Sequence, residues 1–399
     1  MSSSTMKVMV AGHLCLDISP TFTTYGKYNL ADIFSPGKLT TVGKATLSTG
    51  GPVSNTGLAL AKLGVDVVLD GKIGADEFGR IIRNMIGEQR AGTLKIVRGQ
   101  SSSYTIVLAP PGIDRFVLHN PATNDTFGPE DINYELAQQC ILFHFGYPPL
   151  MKRMYENEGS ELAEIYKQVK NLGVTTSLDM AMPDPTAPSG QVDWIRILEK
   201  TLPHVDIFLP SLEEIAFMVD RTLFEKRKDQ TKGGDPVLAY KPEDCTSISA
   251  RLLSMGTKII AIKCGIRGLY LRTAGAEQIA KVGSARPKDV AVWADRELWA
   301  STFKADNFCS ALGAGDATIA GFLCGFLRGF SPLDTLLIAN TVGWQNVQAM
   351  DALSGIGDWP TTLQLLLDKN RIRNPLEIDH PGWIFSASEQ VFFGPYDRK

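Results

Sequence analysis

Short apolar runs alternate with amphipathic segments through the middle of this chain. That alternation limits the folds open to it more than any other feature. "CILFHFG" is followed by "GSELAEIYKQVKNLG", "TTSLDM" by "VDWIRILEKTLPHV" and "DIFLP" by "LEEIAFMV". After a polar stretch to Pro242 comes "EDCTSISARLLSMG", then "KIIAIKCG". A strand with no polar alternation must be covered on both faces, and helices with one apolar stripe supply the cover. The pattern predicts an α/β fold with a doubly wound, mostly parallel sheet flanked by helices.

The N-terminal third follows the same grammar. "KVMVAG" reads as the first strand. "TGGPVSNTGLALAKLG" reads as a helix beginning near Ser54 and ended by Gly64. "VDVVLDGKIG" is the next buried strand and "DEFGRIIRNMIGEQ" the next helix. Two excursions do not fit the sheet. Residues 19–46 contain short alternating pieces such as "KLTTVGKATLS". In residues 99–121, "SSYTIVLAP" and "RFVLHN" flank Pro110-Pro111-Gly112 as a hairpin. Together they predict a small β lid inserted into one domain spanning residues 1–370. Residues 371–399 form an extension rich in aromatics but without a period, and its role is unassigned.

Composition excludes several classes. A net charge of −3 over 399 residues, with no dense Lys/Arg run, argues against a nucleic-acid partner. No apolar run approaches the roughly 20 residues that span a bilayer. The six cysteines have no C-x-x-C spacing and lie mostly in apolar surroundings, as buried thiols of a reduced compartment do. The five histidines show no metal-ligand spacing. A cytoplasmic enzyme is the expectation.

One stretch concentrates chemistry. "CSALGAGDATIAGFLCGFLRG" places Gly313-Ala314-Gly315-Asp316 at the entry to an apolar helix. A helix N-terminus carries free N–H groups and partial positive charge, and glycines let a ligand approach its backbone. Such amides can neutralise charge on a transferred phosphoryl group, while an adjacent carboxylate accepts a proton from the attacking hydroxyl. A plain helix cap would leave the same residues, so the motif alone leaves both readings open. Gly50-Gly51-Pro52-Val53-Ser54-Asn55 enters another helix. Its backbone and the Asn55 amide suit a polyol, and Asp17 follows the first strand, where parallel sheets hold ligands.

With these segments in hand, the chain resembles the ribokinase-like carbohydrate kinases, the PfkB family. The likeness rests on "GHLCLDISP", "TGGPVSNTGLALAKLG" with "GKIGADEFG", "IFLPSLEEIAFM", "IIAIKCGIRGLYL" and "SALGAGDATIAGFL", in the family's order across residues 7 to 357. The resemblance implies that Asp316 is the general base and that the Gly313, Ala314 and Gly315 amides form the anion hole. It implies that Asp17, Gly51 and Asn55 face the sugar, with Gly50 helping the turn. Lys263, Gly265 and Gly268 would lie along the nucleotide phosphates and Asn340 near the adenine. Glu214 would organise Mg²⁺ through water, the cation arriving with ATP. The implied activity is ATP-dependent phosphorylation of a hydroxyl on a sugar, sugar acid or nucleoside. Pairing of two copies through the lid is one arrangement the family allows.

Three departures stand out. Ser211 replaces the Asn of the family's P-N-x-x-E segment. Ser310-Ala311-Leu312 replaces D-T-x, removing an acidic residue that commonly supports a monovalent cation, so that cation is left open. The chain is also longer than a typical member. The first two changes keep a rival reading, a kinase-derived sensor or structural subunit without turnover. A dinucleotide-dependent dehydrogenase is disfavoured because "AGHLCLD" lacks G-x-G-x-x-G after the first strand. Lys27, Lys38, Lys44 and Arg115 are the lid cations that a phosphorylated acceptor would require, though lysines are usually solvated.

Overall fold

The computed structural model describes residues 6–22, 35–110, 116–305, 307–368 and 371–398. Its main sheet has ten strands. Six run parallel, in the order β12 (Ile259–Lys263), β11 (Ile207–Phe208), β10 (Thr175–Leu178), β9 (Leu142–Gly146), β1 (Lys7–Gly12) and β4 (Asp66–Asp70). Beyond β12 the sheet turns antiparallel through β13 (Leu269–Thr273), β14 (Glu297–Ala300), β16 (Val391–Phe393) and β15 (Ile384–Ser386). β1 shows why the parallel strands are apolar throughout. Met9 and Ala11 enter the core on one face with Phe143, Phe145 and Phe208. Val8 and Val10 enter the core on the other with Leu60, Leu69 and Phe322.

Four more strands form a second sheet in the order β3 (Ala45–Gly50), β2 (Cys15–Pro20), β7 (Tyr104–Leu108), β8 (Phe116–Asn120). β7 and β8 are the expected hairpin. The first excursion differs from its reading. β2 starts at Cys15, ahead of residue 19, so Asp17, which follows the first strand as expected, lies within a strand of the second sheet, opposite Ser48 and Thr105. Much of the 19–46 segment, including Lys27, falls outside the described residues, as does Arg115. "VDVVLDGKIG" is two strands rather than one. After Gly71 the chain leaves the main sheet, and β5 (Lys72–Gly74) pairs with β6 (Lys95–Val97) instead. The aromatic tail, which has no period of its own, becomes regular by pairing. β15 and β16 extend the main sheet from β14, and Asp397 ties down through Arg296 and the Glu297 amide.

Asp70, at the end of β4, is buried and accepts from the Asn133 amide at 3.0 Å. Burial, with Asp131 adding repulsion, raises its carboxyl to about 7. The unfolded chain releases that proton near pH 4, so this contribution to stability is full below pH 4 and lost as pH rises to 7. Asp70→Asn is therefore expected to stabilise the protein at pH 8 by on the order of 2–4 kcal/mol and to change little near pH 4. Melting temperatures of both proteins across this range check it, and a gain equal at both ends would rule the account out.

Candidate active site

The carboxyl ends of the parallel strands converge on one region, as this sheet type dictates. His13 follows β1, Tyr147 follows β9, Asp179 follows β10, and Lys263 ends β12. The second sheet brings Asp17, Thr105 and His119 to the same place. Two helices complete it: Pro52–Lys62, capped by Gly51, and Ala314–Leu327, capped by Gly313. The latter is apolar nearly all round because it packs between helix Pro52–Lys62 and helix Pro332–Asn346.

Asp316 occupies the first turn of its helix with 2% of its surface exposed. It is not a cap for its own helix. Oδ2 accepts from Asn55 Nδ2 and from the Tyr147 hydroxyl, both at 3.0 Å, and Oδ1 accepts from Thr56 Oγ1 at 3.1 Å. Burial raises its pKa, opposed by these three hydrogen bonds and by the Lys263 charge. Tyr147 reaches it from a left-handed backbone (φ 64°), a conformation a bulky residue adopts only when its surroundings enforce it.

Gly313 also has a left-handed backbone (φ 72°), and a side chain there would collide with Ala352. The turn needs glycine for geometry alone. Gly315 differs, since an added Cβ would lie 3.7 Å from Lys263 Cε, an ordinary contact. The Ala314 amide turns inward to the Ala311 carbonyl at 3.2 Å. Among the described residues the Gly313, Gly315 and Asp316 amides make no main-chain hydrogen bond. Gly50 leaves the room that the Asp17 carboxylate fills, because any side chain there would overlap it. Asp17 accepts from the Cys15 thiol at 3.3 Å, and burial raises its pKa, with Asp316 contributing repulsion.

Lys263 forms an ion pair with Asp179 and donates to the Leu209 carbonyl at 2.7 Å. Asp179, Glu214 and Asp316 all act on this one ammonium. Burial, with repulsion from Glu214 and Asp316, raises Asp179 to about 8 against the pull of Lys263. Glu214 is also raised by burial, and its Oε2 accepts from the Ser211 amide at 2.7 Å, closing the first turn of helix Leu212–Val219. Three carboxyl groups raised by burial thus surround one ammonium, and a divalent ion carried in with phosphates would favour their charged forms. Among the described residues no group of three or more His, Cys, Asp or Glu forms a protein-only metal cage.

Gly265 and Gly268 bound the turn from β12 to β13. Asn340 is buried and donates to the Ala300 and Ser301 carbonyls at 2.9 and 3.2 Å, so both amide protons hold the end of β14. Sequence reasoning singled out neither Tyr147, Thr56, Asp179 nor the histidine pair. His13 Nε2 and His119 Nε2 share a hydrogen bond at 3.2 Å across the two sheets, and Thr105 Oγ1 meets His119 Nδ1 at 3.0 Å. His13 Nδ1 is buried without a partner among the described residues. The missed signal was positional, because each of His13, Tyr147 and Asp179 immediately follows a parallel strand. Lys38 and Lys44 are exposed.

The pattern of the pfkB family carbohydrate kinases matches residues 7–358. An uncharacterized sugar kinase of Archaeoglobus fulgidus is 25% identical over 300 residues, covering 75% of this chain and 98% of its own. The 2-dehydro-3-deoxygluconokinase of Bacillus subtilis is 22% identical over 323 residues, covering 78% and 85%. Among solved structures, Arabidopsis thaliana ribokinase complexed with ribose and ATP superposes with a TM-score of 0.67 at 18% identity, covering 91% of this chain and 99% of that one. Fructokinase with bound ATP from Xylella fastidiosa gives 0.63 at 18% identity, covering 91% and 99%. No helix among the described residues is long and apolar enough to cross a membrane. With its signature segments gathered at one end of a ribokinase-like sheet, this chain belongs to the pfkB family of carbohydrate kinases.

Proposed function

We propose that the chain transfers the γ-phosphoryl group of ATP to a hydroxyl of a small, unphosphorylated carbohydrate: a sugar, sugar acid or nucleoside. The observation that carries this reading is the Asp316 carboxylate, buried at a helix N-terminus and oriented by Asn55, Thr56 and Tyr147. Asp316 accepts the proton of the attacking hydroxyl, which takes the place of one of its present donors. Burial makes it a stronger base than an ordinary aspartate. Free amides at Gly313 and Gly315, with Ala314 shaping the turn, receive the negative charge that gathers on the moving phosphoryl group.

Asp17, Asn55 and the Gly51 backbone bind the acceptor, and the unpartnered His13 Nδ1 is a further polar atom for it. Lys263, Gly265 and Gly268 line the nucleotide phosphates, and Asn340 shapes the adenine side by holding Ala300 and Ser301. Mg²⁺ would be held by Glu214 through water, with the Ser211 hydroxyl in reach of the same shell. It would supply charge neutralisation between phosphate oxygens. The second sheet covers the acceptor, and the His13–His119 bond ties that cover to the main sheet and excludes water.

The test is ADP release with ATP and Mg²⁺ over a panel of sugars, sugar acids, nucleosides and sugar phosphates, with and without K⁺. Turnover is expected with an unphosphorylated member. Gly315→Val should retain the fold, since its Cβ meets the Lys263 side chain at ordinary contact distances of 3.7 and 3.8 Å, and lose about 10²–10³-fold in kcat by filling the amide nest. No turnover with any acceptor, or full activity in Gly315→Val, would count against the proposal.

A further inference from the structure

The residues after 358 lie beyond the span matched by the family and close over the end of β14. There the Arg371 guanidinium stacks 3.6 Å from the Phe303 ring centroid and 4.2 Å from that of Trp344. Arg373 sits 4.5 Å from the same Phe303 ring. Two cations therefore share one aromatic side chain. Among the described residues their hydrogen bonds go to neutral groups. Arg371 Nη1 donates to the Leu365 carbonyl at 2.9 Å and to Thr341 Oγ1 at 3.3 Å. Arg373 donates Nε to Gln390 Oε1 at 2.9 Å and Nη1 to the Ser301 carbonyl at 2.8 Å.

Among the described residues, buried Arg371 Nε and Nη2 meet no acceptor. Some cations drawn into the protein are matched by carboxylates, as Arg227 is by Asp244 and Arg296 by Asp397, whereas Arg267 and Arg328 stack singly on an aromatic ring and bond neutral groups. Arg371 and Arg373 differ from these in lying together on one ring. Among the described residues neither Arg371 nor Arg373 has a carboxylate partner within ion-pair distance. Burial lowers each to about 10. Arg373 adds repulsion at Arg371, and Asp368 offsets part of it.

A pocket of about 380 Å³ adjoins this pair, lined also by Ser301, Asn374, Phe385 and Phe392. The last two rings pack 4.8 Å apart, and Phe385 is half exposed. We propose that this pocket binds a phosphate-bearing small molecule, whose dianionic group compensates Arg371 and Arg373 together. Two guanidinium groups match a dianion in charge, and a single carboxylate would leave one cation uncompensated. The aromatic floor gives room for an organic skeleton, so the ligand is either free phosphate or a phosphomonoester. The assignment does not depend on the catalytic reading: of these residues only Ser301 adjoins the proposed transfer machinery, through the carbonyl that Asn340 also holds.

Isothermal titration of the full chain with inorganic phosphate, and separately with glucose 6-phosphate, at matched ionic strength tests it. Saturable binding that survives saturating ADP is expected. Tighter binding of glucose 6-phosphate would assign the site to phosphomonoesters, and equal or weaker binding would assign it to free phosphate. Arg373→Gln should weaken binding by about tenfold or more. Since Arg373 also anchors Ser301, Gln390→Glu provides a second variant. It places a carboxylate beside Arg373, and should raise the melting temperature and abolish phosphate binding. Absence of saturable binding, displacement by ADP, or undiminished binding in Gln390→Glu would overturn the proposal.

Discussion

Asp316→Asn is expected to lower kcat by about 10²–10⁴-fold while nucleotide affinity stays within a fewfold of the parent. The amide oxygen can still accept from Asn55 and Tyr147, and the amide nitrogen can donate to the Thr56 hydroxyl, so the local geometry survives. What disappears is a group able to take a proton. Turnover and analogue binding measured side by side decide it, and joint loss of both would make Asp316 a structural residue instead.

The pH dependence adds an independent reading. Burial is the largest influence on Asp316 and raises its pKa, so the acid limb of kcat/KM should fall at higher pH than an ordinary aspartate would give. The stability contribution of a raised carboxyl is present in full below its unfolded pKa and lost as pH climbs through the folded value. Asp316→Asn should therefore melt higher than the parent at pH 8 while being nearly inactive. That combination marks a side chain held for chemistry at a cost in stability.

Lys263→Met should be the most damaging single change for the fold. The ammonium is nearly buried and pairs with a fully enclosed Asp179, with Glu214 and Asp316 close enough to act on both. Removing one member of a buried pair costs about 3–5 kcal/mol, because the Asp179 carboxyl left behind must stay charged without compensation or be held protonated. Urea unfolding at pH 8 reads that loss. Adding Asp179→Asn to Lys263→Met should recover most of the stability, since the stranded carboxylate is then gone, but transfer should stay depressed. A double variant that recovers activity as well would show that Lys263 serves only to neutralise Asp179. A single variant as stable as the parent would contradict the ion pair itself.

The parallel sheet was legible because its strands are buried on both faces and so leave continuous apolar runs, as in "KVMVAG" and "KIIAIK". The β7–β8 hairpin was legible from Pro110-Pro111-Gly112 between alternating segments. The tail was not, because β15 and β16 gain regularity only by pairing with β14, whose own segment carries no clear period. Asp316, Asn55 and Lys263 stood out because each sits in a glycine-marked stretch. Tyr147 and Asp179 carry no such mark, and their roles come from the strands that end just before them.

Residue order alone thus determined the α/β architecture, the glycine-bounded helix entry at Asp316 and the membership of a kinase family. These are local patterns, set by the periodicity of burial and by the few residues a tight turn admits. Only the folded chain decided which side chains meet across it: Asn55 with Asp316 from 261 positions away, Lys263 with Asp179, His13 with His119 and Arg371 with Phe303. Such contacts depend on strand order and on helices crossing at close range, and no spacing along the sequence encodes either.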